Sequence, residues 1–275
     1  MRIALTGASG FVGASIRPLL QQAGHQVTPL GHDNGFSLGA RPDLHGHHAL
    51  IHCAFAHQPG CFRGGEGDDP QGFVETNQTG TRLLFDQAEK CGVSRVIFLS
   101  TRAVHDGHPA GSFLTDTLPP RPVNLYGQVK SDGERYLLSK TGIKGTAIRA
   151  TGLYGPGPRN KWRELFRQFQ QGARLAPRVG TELHIADLAD AMLRLLAHPL
   201  PPATVNASDF ALDRQDLLRL VAEHTGCRTA LPDRADAVDM RIAGCAALAR
   251  LGWRPGGIAK LEQTMPRLLD LAPQV

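Results

Sequence analysis

The chain has 275 residues, 41% hydrophobic and 20% charged, an ordinary globular composition with enough apolar material for a full core. The formal charge is +5, but the arginines are scattered and no Lys/Arg block or aromatic-interleaved basic run occurs, so nucleic-acid binding is not expected. No apolar run nears the roughly 20 residues of a membrane helix and no signal peptide is expected before Ile3; the five cysteines (Cys53, Cys61, Cys91, Cys227, Cys245) lack CxxC spacing, which fits a reduced, cytoplasmic protein.

In chain order, six apolar runs have strand length: "RIAL", "HQVTPL", "HALIHCAF", "SRVIFLS", "GTAIRA" and "ATVNAS". Helical patterns separate several of them. After Gly10, the residues Phe11, Val12, Ile16, Leu19 and Leu20 mark one face, with Pro18 expected to cost a hydrogen bond and to kink the helix. "NQTGTRLLFDQAEKCGV" ends at Gly92, a C-cap candidate. "LYGQVKSDGERYLLSKTG" and "HIADLADAMLRLLAHP" complete the alternation. This order predicts an α/β, Rossmann-like, doubly wound parallel sheet. Residues 1–154, rejoined by about 183–208, form the dinucleotide-binding domain in this reading. Residues 155–182 and 209–275 form a small, mainly C-terminal substrate-binding part. Within it "KWRELFRQFQQ" carries an apolar stripe of Trp162, Leu165, Phe166 and Phe169, and the stretch after 209 looks helical. Residues 57–72 read as a long Gly/Asp/Pro-rich loop, a place for function or for a protein partner.

The first strand runs into "TGASGFVG", with Gly7, Gly10 and Gly13 ahead of a helix. One glycine permits the turn, one lets backbone approach a pyrophosphate, and one lets helix and strand pack closely. The helix N-terminus then offers N–H groups and a favourable dipole to the phosphates. At the end of the second strand an acidic residue would hold the ribose of NAD. Here that place falls on Gly31 or His32, with Asp33 slightly late, so the cofactor is read as NAD or NADP with a lean to NADP through His32.

"LYGQVK" places Tyr126 and Lys130 four apart, on one helix face. A free tyrosine ionises near pH 10 and is a poor base at neutrality. Correcting that by about three pH units takes roughly 4 kcal/mol, which a neighbouring ammonium can supply. Such a tyrosine exchanges a proton with a substrate oxygen while hydride moves to or from a nicotinamide. The alternative is an ordinary surface pair. "VIFLST" ends a strand with Ser100 and Thr101, either of which could hydrogen-bond the same oxygen or simply begin a loop.

With these segments in order, together with "ETNQTGT", "AIRATGLYGPG" and "HIADLADAM", the chain resembles an extended short-chain dehydrogenase/reductase of the NAD-dependent epimerase/dehydratase family over at least residues 1–200. The resemblance implies that Tyr126 is the acid/base and that Lys130 is its electrostatic partner and a ligand of the nicotinamide ribose. It implies that Thr101, rather than Ser100, is the catalytic hydroxyl. Cofactor contacts are implied at Gly7, Gly10, Phe11, Val12, Gly13, His32, Ala54, Asn77 and Lys130. It also suggests a homodimer through helices near 79–90 and 126–140.

Three departures narrow the chemistry. Family dehydratases carry Thr-Asp-Glu where this chain has Thr101, Arg102 and Ala103, which argues against dehydration. "Val104-His105-Asp106" replaces the usual Val-Tyr-Gly. Nucleotide-sugar members carry Asn where this chain has Gly152, and a longer segment before "HIADL", where Arg178 is the nearest basic residue. The expected activity is hydride transfer at a secondary alcohol or ketone, on a sugar or sugar derivative, nucleotide-linked or free. The alternatives are reduction or oxidation of a non-sugar carbonyl compound, and dinucleotide sensing without chemistry. His45, His47, His48, His52 and His57 show no ligand spacing on one face, so no metal centre is expected; His52 and His184 are explained by packing and hydrogen bonding.

Overall fold

The computed structural model describes residues 1–58 and 65–270. In chain order the first half contains β1 (Arg2–Thr6), α1 (Phe11–Gln22), β2 (Gln26–Leu30), β3 (Ala49–His52), α2 (Pro70–Val74), α3 (Gly80–Lys90), β4 (Arg95–Thr101), β5 (Phe113–Leu114) and α4 (Leu125–Leu138). The second contains β6 (Lys144–Ala150), β7 (Gly152–Tyr154), α5 (Arg163–Gln170), β8 (Val179–His184), α6 (Ile185–Ala197), β9 (Thr204–Ala207), β10 (Phe210–Asp213), α7 (Arg214–Thr225), β11 (Ile242–Ala243), α8 (Ala246–Arg250) and α9 (Gly257–Leu268). The six apolar runs of the sequence are the six strands of one parallel sheet, ordered β2-β1-β3-β4-β6-β9. The chain reverses its direction of travel between β1 and β3, and in such sheets that switch point opens the ligand crevice at the strands' C-terminal ends.

Side-chain alternation gives the sheet two buried faces. Ile3, Leu5, Ile51, Ile97, Leu99 and Ile148 pack with Ile16 and Leu20 of α1 and with the apolar face of α6. Ala4, Leu50, Val96, Phe98 and Ala147 pack with Leu84 and Phe85 of α3 and Leu137 of α4. Each fully buried Leu, Ile or Phe contributes about 1.5–3 kcal/mol. A separate core joins Tyr154, Trp162, Phe166 and Phe169 to Leu217, Val221, Leu261 and Met265 of α7 and α9. The stripe expected on "KWRELFRQFQQ" therefore buries its aromatic members against the C-terminal helices. These helices are tied back to the sheet domain: Trp253 Nε1 donates to the Asp187 carbonyl at 2.9 Å, and the Asp187 carboxylate accepts from Gly256 N–H and pairs with Lys260.

Three expectations change. The stretch after 209 is not uniformly helical: β10 joins β8 and β7 in a three-stranded sheet, β11 pairs with β5, and irregular chain links α7 to β11. Short polar and Pro-containing runs there read as helix only because α7 and α9 flank them. α1 runs continuously through Pro18, which lies on the exposed side, where water can bond the carbonyl that proline leaves free. Of the loop expected at 57–72, residues 59–64, Cys61 among them, lie outside the described residues, and its end is already helical from Pro70.

Candidate active site

The glycine turn joins β1 to α1. Gly7 adopts a left-handed conformation, φ 68°. A Cβ there would also lie 2.7 Å from the Ala54 nitrogen, so only glycine lets the chain leaving β3 cross this close. At Gly13 a Cβ would meet the Gly7 carbonyl oxygen at 2.3 Å, which fixes how tightly α1 seats on the turn. Gly10, by contrast, would meet only that oxygen, at 3.2 Å. Gly10 is the N-cap of α1 and supplies no side-chain acceptor, so the first helical N–H groups, including those of Phe11 and Val12, keep their dipole directed out of the fold. A pyrophosphate fits this cradle. Beside it, Gly31 packs on Ser9 of the turn, leaving His32 and Asp33 exposed at the end of β2.

The segment leaving β3 is held by two polar side chains. His52 is fully buried between Thr6 and Thr81, with Nδ1 2.7 Å from Thr6 Oγ1 and Nε2 3.1 Å from Thr81 Oγ1. Burial, aided by the Lys130 charge, pushes its pKa down to about 3, so the ring is neutral. Thr6 Oγ1 also accepts the Ala54 N–H at 3.2 Å. Asn77 lies in a wide π-type turn joining α2 to α3. Its amide accepts from Ala56 N–H and donates to the Ala56 and Phe73 carbonyls, at 2.8, 2.8 and 2.9 Å. Asn77 thus acts on this segment as a strand partner would. Its position against the glycine turn is fixed from both sides.

Helix α4 begins at Asn124, whose side chain accepts the Gly127 N–H at 2.8 Å. This cap orients the first turn, which carries Tyr126. Gly133 lets α4 lie directly on Phe98 of β4: a Cβ there would stand 2.8 Å from that ring. Lys130 consequently points into the sheet edge. It is 4% exposed, donates to the Leu99 carbonyl at 2.8 Å, and lies 4.5 and 4.9 Å from the rings of Phe55 and Phe98. Burial lowers its pKa to about 8, against smaller opposing effects of Cys53 and Glu134. Tyr126 meets Phe55 edge to face at 5.2 Å, so one aromatic ring touches both members of the pair. At the end of β4, Thr101 Oγ1 accepts the Ala103 N–H at 3.1 Å and keeps its own hydrogen to donate. Ser100 faces the other way and gives its hydrogen to Glu134.

Beyond the sheet edge lies Gly152, at the place where the sequence reading looks for Asn. Ala150 pairs with Thr101, so Gly152 follows two residues past the edge, and a Cβ at Gly155 would approach Phe11 at 3.7 Å. β7 therefore runs from the Thr101 side to the glycine-turn side of the cleft. Over Gly152 lies an ion pair, Lys161 with Glu182. A Cβ at Gly152 would stand 2.6 Å from Glu182 Oε2 and 2.8 Å from Lys161 Nζ. Burial lowers the Lys161 pKa and raises that of Glu182. A larger residue at 152 would have to push the tips of this pair aside.

The structure gathers Gly7, Gly10, Gly13, Phe11, Val12 and Ala54 at one turn, and Thr101 and Lys130 at the C-terminal end of β4, with Phe55 linking Lys130 to Tyr126. Asn77 reaches the site through backbone, and His32 stays at its rim. Sequence reasoning missed Phe55, the only aromatic within "HCAFAH", and missed the Lys161–Glu182 pair. The five histidines between 45 and 57 do not converge: His47 bonds Thr28, His48 accepts from Arg2 N–H, and His57 bonds the Gln58 carbonyl.

A sequence profile described as the NAD dependent epimerase/dehydratase family matches residues 3–208. Among curated relatives, a 3 beta-hydroxysteroid dehydrogenase/Delta 5-->4-isomerase of Mycobacterium tuberculosis is 26% identical over 243 residues, 77% of this chain; the aligned region spans only 64% of that protein. A probable dTDP-4,6-dihydroxy-2-methyloxan-3-one 4-ketoreductase of Streptomyces antibioticus is 26% identical, covering 100% of this chain and 96% of its own. The fold is that of the Thermus thermophilus UDP-glucose 4-epimerase solved with NAD (TM-score 0.78, 23% identical, 100% of both chains). It is shared with an NAD-dependent NDP-hexosamine 5,6-dehydratase of tunicamycin biosynthesis (TM-score 0.74, 21% identical, 98% of this chain and 96% of that one). The lean toward NADP draws no support from these proteins; where their descriptions name a cofactor it is NAD. No helix among the described residues is long and apolar enough to cross a membrane.

Proposed function

The chain belongs to the NAD dependent epimerase/dehydratase family, and from that premise we propose that it is an NAD-dependent oxidoreductase or epimerase acting at a secondary alcohol or ketone of a sugar derivative. The observation that carries this is Lys130, buried under Phe55 on the helix that bears Tyr126 and bonded to the Leu99 carbonyl of the strand that ends in Thr101. Gly7, Gly10, Phe11, Val12 and Gly13 would hold the pyrophosphate, His32 would lie toward the adenosine ribose, and Ala54, Asn77 and Lys130 would define the nicotinamide end. NAD supplies hydride transfer when bound. Tyr126 passes a proton to or from the substrate oxygen, Thr101 donates its hydrogen to that oxygen, and the Lys130 ammonium favours the phenolate.

Elimination of water is not part of the proposal. It needs a further acid and base after Thr101, and Arg102, paired with Asp106 at 3.0 Å, and Ala103 provide neither. A second reading, a carbonyl compound without a sugar, is favoured by the aromatic wall that Phe55 and Phe73 build beside Tyr126, their rings 5.5 Å apart. The test is thermal unfolding with NAD and NADP, followed by a panel of sugars, nucleotide sugars and apolar ketones. A ligand at about 100 times its Kd adds roughly 2.7 kcal/mol of apparent stability. NAD is expected to raise Tm; no shift with either dinucleotide would overturn the reading.

The Lys130 environment also sets a pH dependence. A lysine held at about 8 is charged below that pH and neutral above it. Since kcat/KM follows ionisations of the free enzyme, its alkaline limb is expected to fall through about pH 8. A profile flat to pH 10 would contradict the assigned role. We also propose a homodimer through α3 and α4, which lie side by side with Tyr136 donating to Asp86 at 2.7 Å; light scattering that finds only monomer would exclude it.

A further inference from the structure

Three unlike donor groups meet at the N-terminal edge of the sheet, on the side away from the glycine turn. Asp43 and His45 lie in the segment leading into β3, and Cys91 closes α3 just before β4. One donor atom from each falls within 4.8 Å of the others. His45 Nδ1 is 2.7 Å from Asp43 Oδ1 and 3.6 Å from Cys91 Sγ. The Cys91 sulfur is buried and also accepts an N–H from Gln87 at 3.3 Å. Asp43 and His45 are exposed, which leaves an open path to the group.

We propose that Asp43, His45 and Cys91 form a binding site for a divalent transition-metal ion of borderline softness, of the zinc type. The distances carry the argument. With zinc–sulfur and zinc–nitrogen bonds of about 2.3 and 2.05 Å at a tetrahedral angle, sulfur and nitrogen stand about 3.6 Å apart. That is the separation found between Cys91 and His45. The same geometry puts the carboxylate oxygen about 3.3 Å from the imidazole nitrogen and about 3.6 Å from the sulfur, so the exposed Asp43 side chain has to leave its hydrogen bond and, from its place within 4.8 Å, settle toward Cys91. A thiolate, an imidazole and one carboxylate select zinc or cobalt over magnesium or calcium, which take oxygen ligands. Water completes the coordination on the solvent side. The site lies at the opposite sheet edge from Thr101 and the glycine turn, and its role is to fasten the end of α3 to the segment entering β3.

The test is titration of the reduced, full-length protein with cobalt(II) chloride. One equivalent is expected to give a near-ultraviolet thiolate-to-cobalt charge-transfer band and visible bands of tetrahedral intensity, both bleached by zinc(II) chloride. Cys91→Ser should remove the charge-transfer band. His45→Ala, a change at an exposed side chain that leaves the core intact, should weaken binding by roughly tenfold or more. Circular dichroism identifies any variant that fails to fold, and His45→Ala then decides the matter. A band that persists in Cys91→Ser would place the metal on another cysteine and overturn the proposal. So would the absence of any band in wild-type protein under excess cobalt.

Discussion

Tyr126→Phe is expected to lower kcat by about 10²- to 10⁴-fold, the range that positioned acid–base catalysis contributes, while leaving the NAD-induced rise in Tm intact. The substitution removes one hydroxyl and keeps the ring, so the edge-to-face contact with Phe55 at 5.2 Å survives and the cleft keeps its wall. The glycine turn and the Ala54 segment are set by Gly7, Gly13, Thr6 and Asn77, none of which depends on that hydroxyl. Proton transfer and cofactor binding should therefore separate cleanly. The measurement is single-turnover hydride transfer, followed by nicotinamide absorbance, with the substrate that gives the largest thermal shift. Wild-type turnover in the variant would remove Tyr126 from the chemistry. Loss of the NAD shift would mean that the hydroxyl helps to hold the cofactor and does not act on the proton alone.

The sheet was legible because parallel strands buried on both faces write themselves as short apolar runs, and the six runs became its strands, the half-exposed edge strand β2 among them. The glycine turn was legible for a local reason: its spacing, strand and helix are neighbours in sequence. What escaped notice depends on contacts between distant residues. Phe55 matters because it touches Lys130 and Tyr126 more than 70 positions later along the chain. Gly152 was noticed as a missing Asn, but the ion pair of Lys161 with Glu182 that lies over it was not, since each residue is unremarkable alone. Cys91 and His45 have no motif spacing, and strand pairing brings their segments together. Composition and periodicity register none of these. The helical reading after 209 failed for a related reason, since β10 and β11 are each short and exist as strands only through the partners they find in β8 and β5.

Glu134→Ala should destabilise the fold by about 3–5 kcal/mol, the cost of leaving a buried charge without its partner. The Glu134 carboxylate and the Arg149 guanidinium are 3% and 4% exposed and 2.7 Å apart. Arg149 extends the network with donations to the Asp116 and Leu118 carbonyls and to the neutral ring of His105, whose pKa burial and Arg149 together push down to about 4. Glu134 also takes the Ser100 hydrogen, one residue before Thr101 and one helical turn after Lys130. Truncation thus strands a guanidinium and a hydroxyl at once. Against a typical domain stability of about 5–15 kcal/mol, such a loss is large enough to show directly as a drop in the urea midpoint. Glu134→Gln, which keeps the acceptor and loses the charge, should cost less. The double variant Glu134→Met/Arg149→Leu should cost less than the sum of the two single changes, because a buried pair removed whole leaves no unpaired charge. Additive losses would mean that the two groups are not coupled. Near-wild-type stability in Glu134→Ala would mean that water reaches Arg149, and that the Lys130–Leu99 hydrogen bond and the Gly133–Phe98 contact suffice to hold α4 against β4.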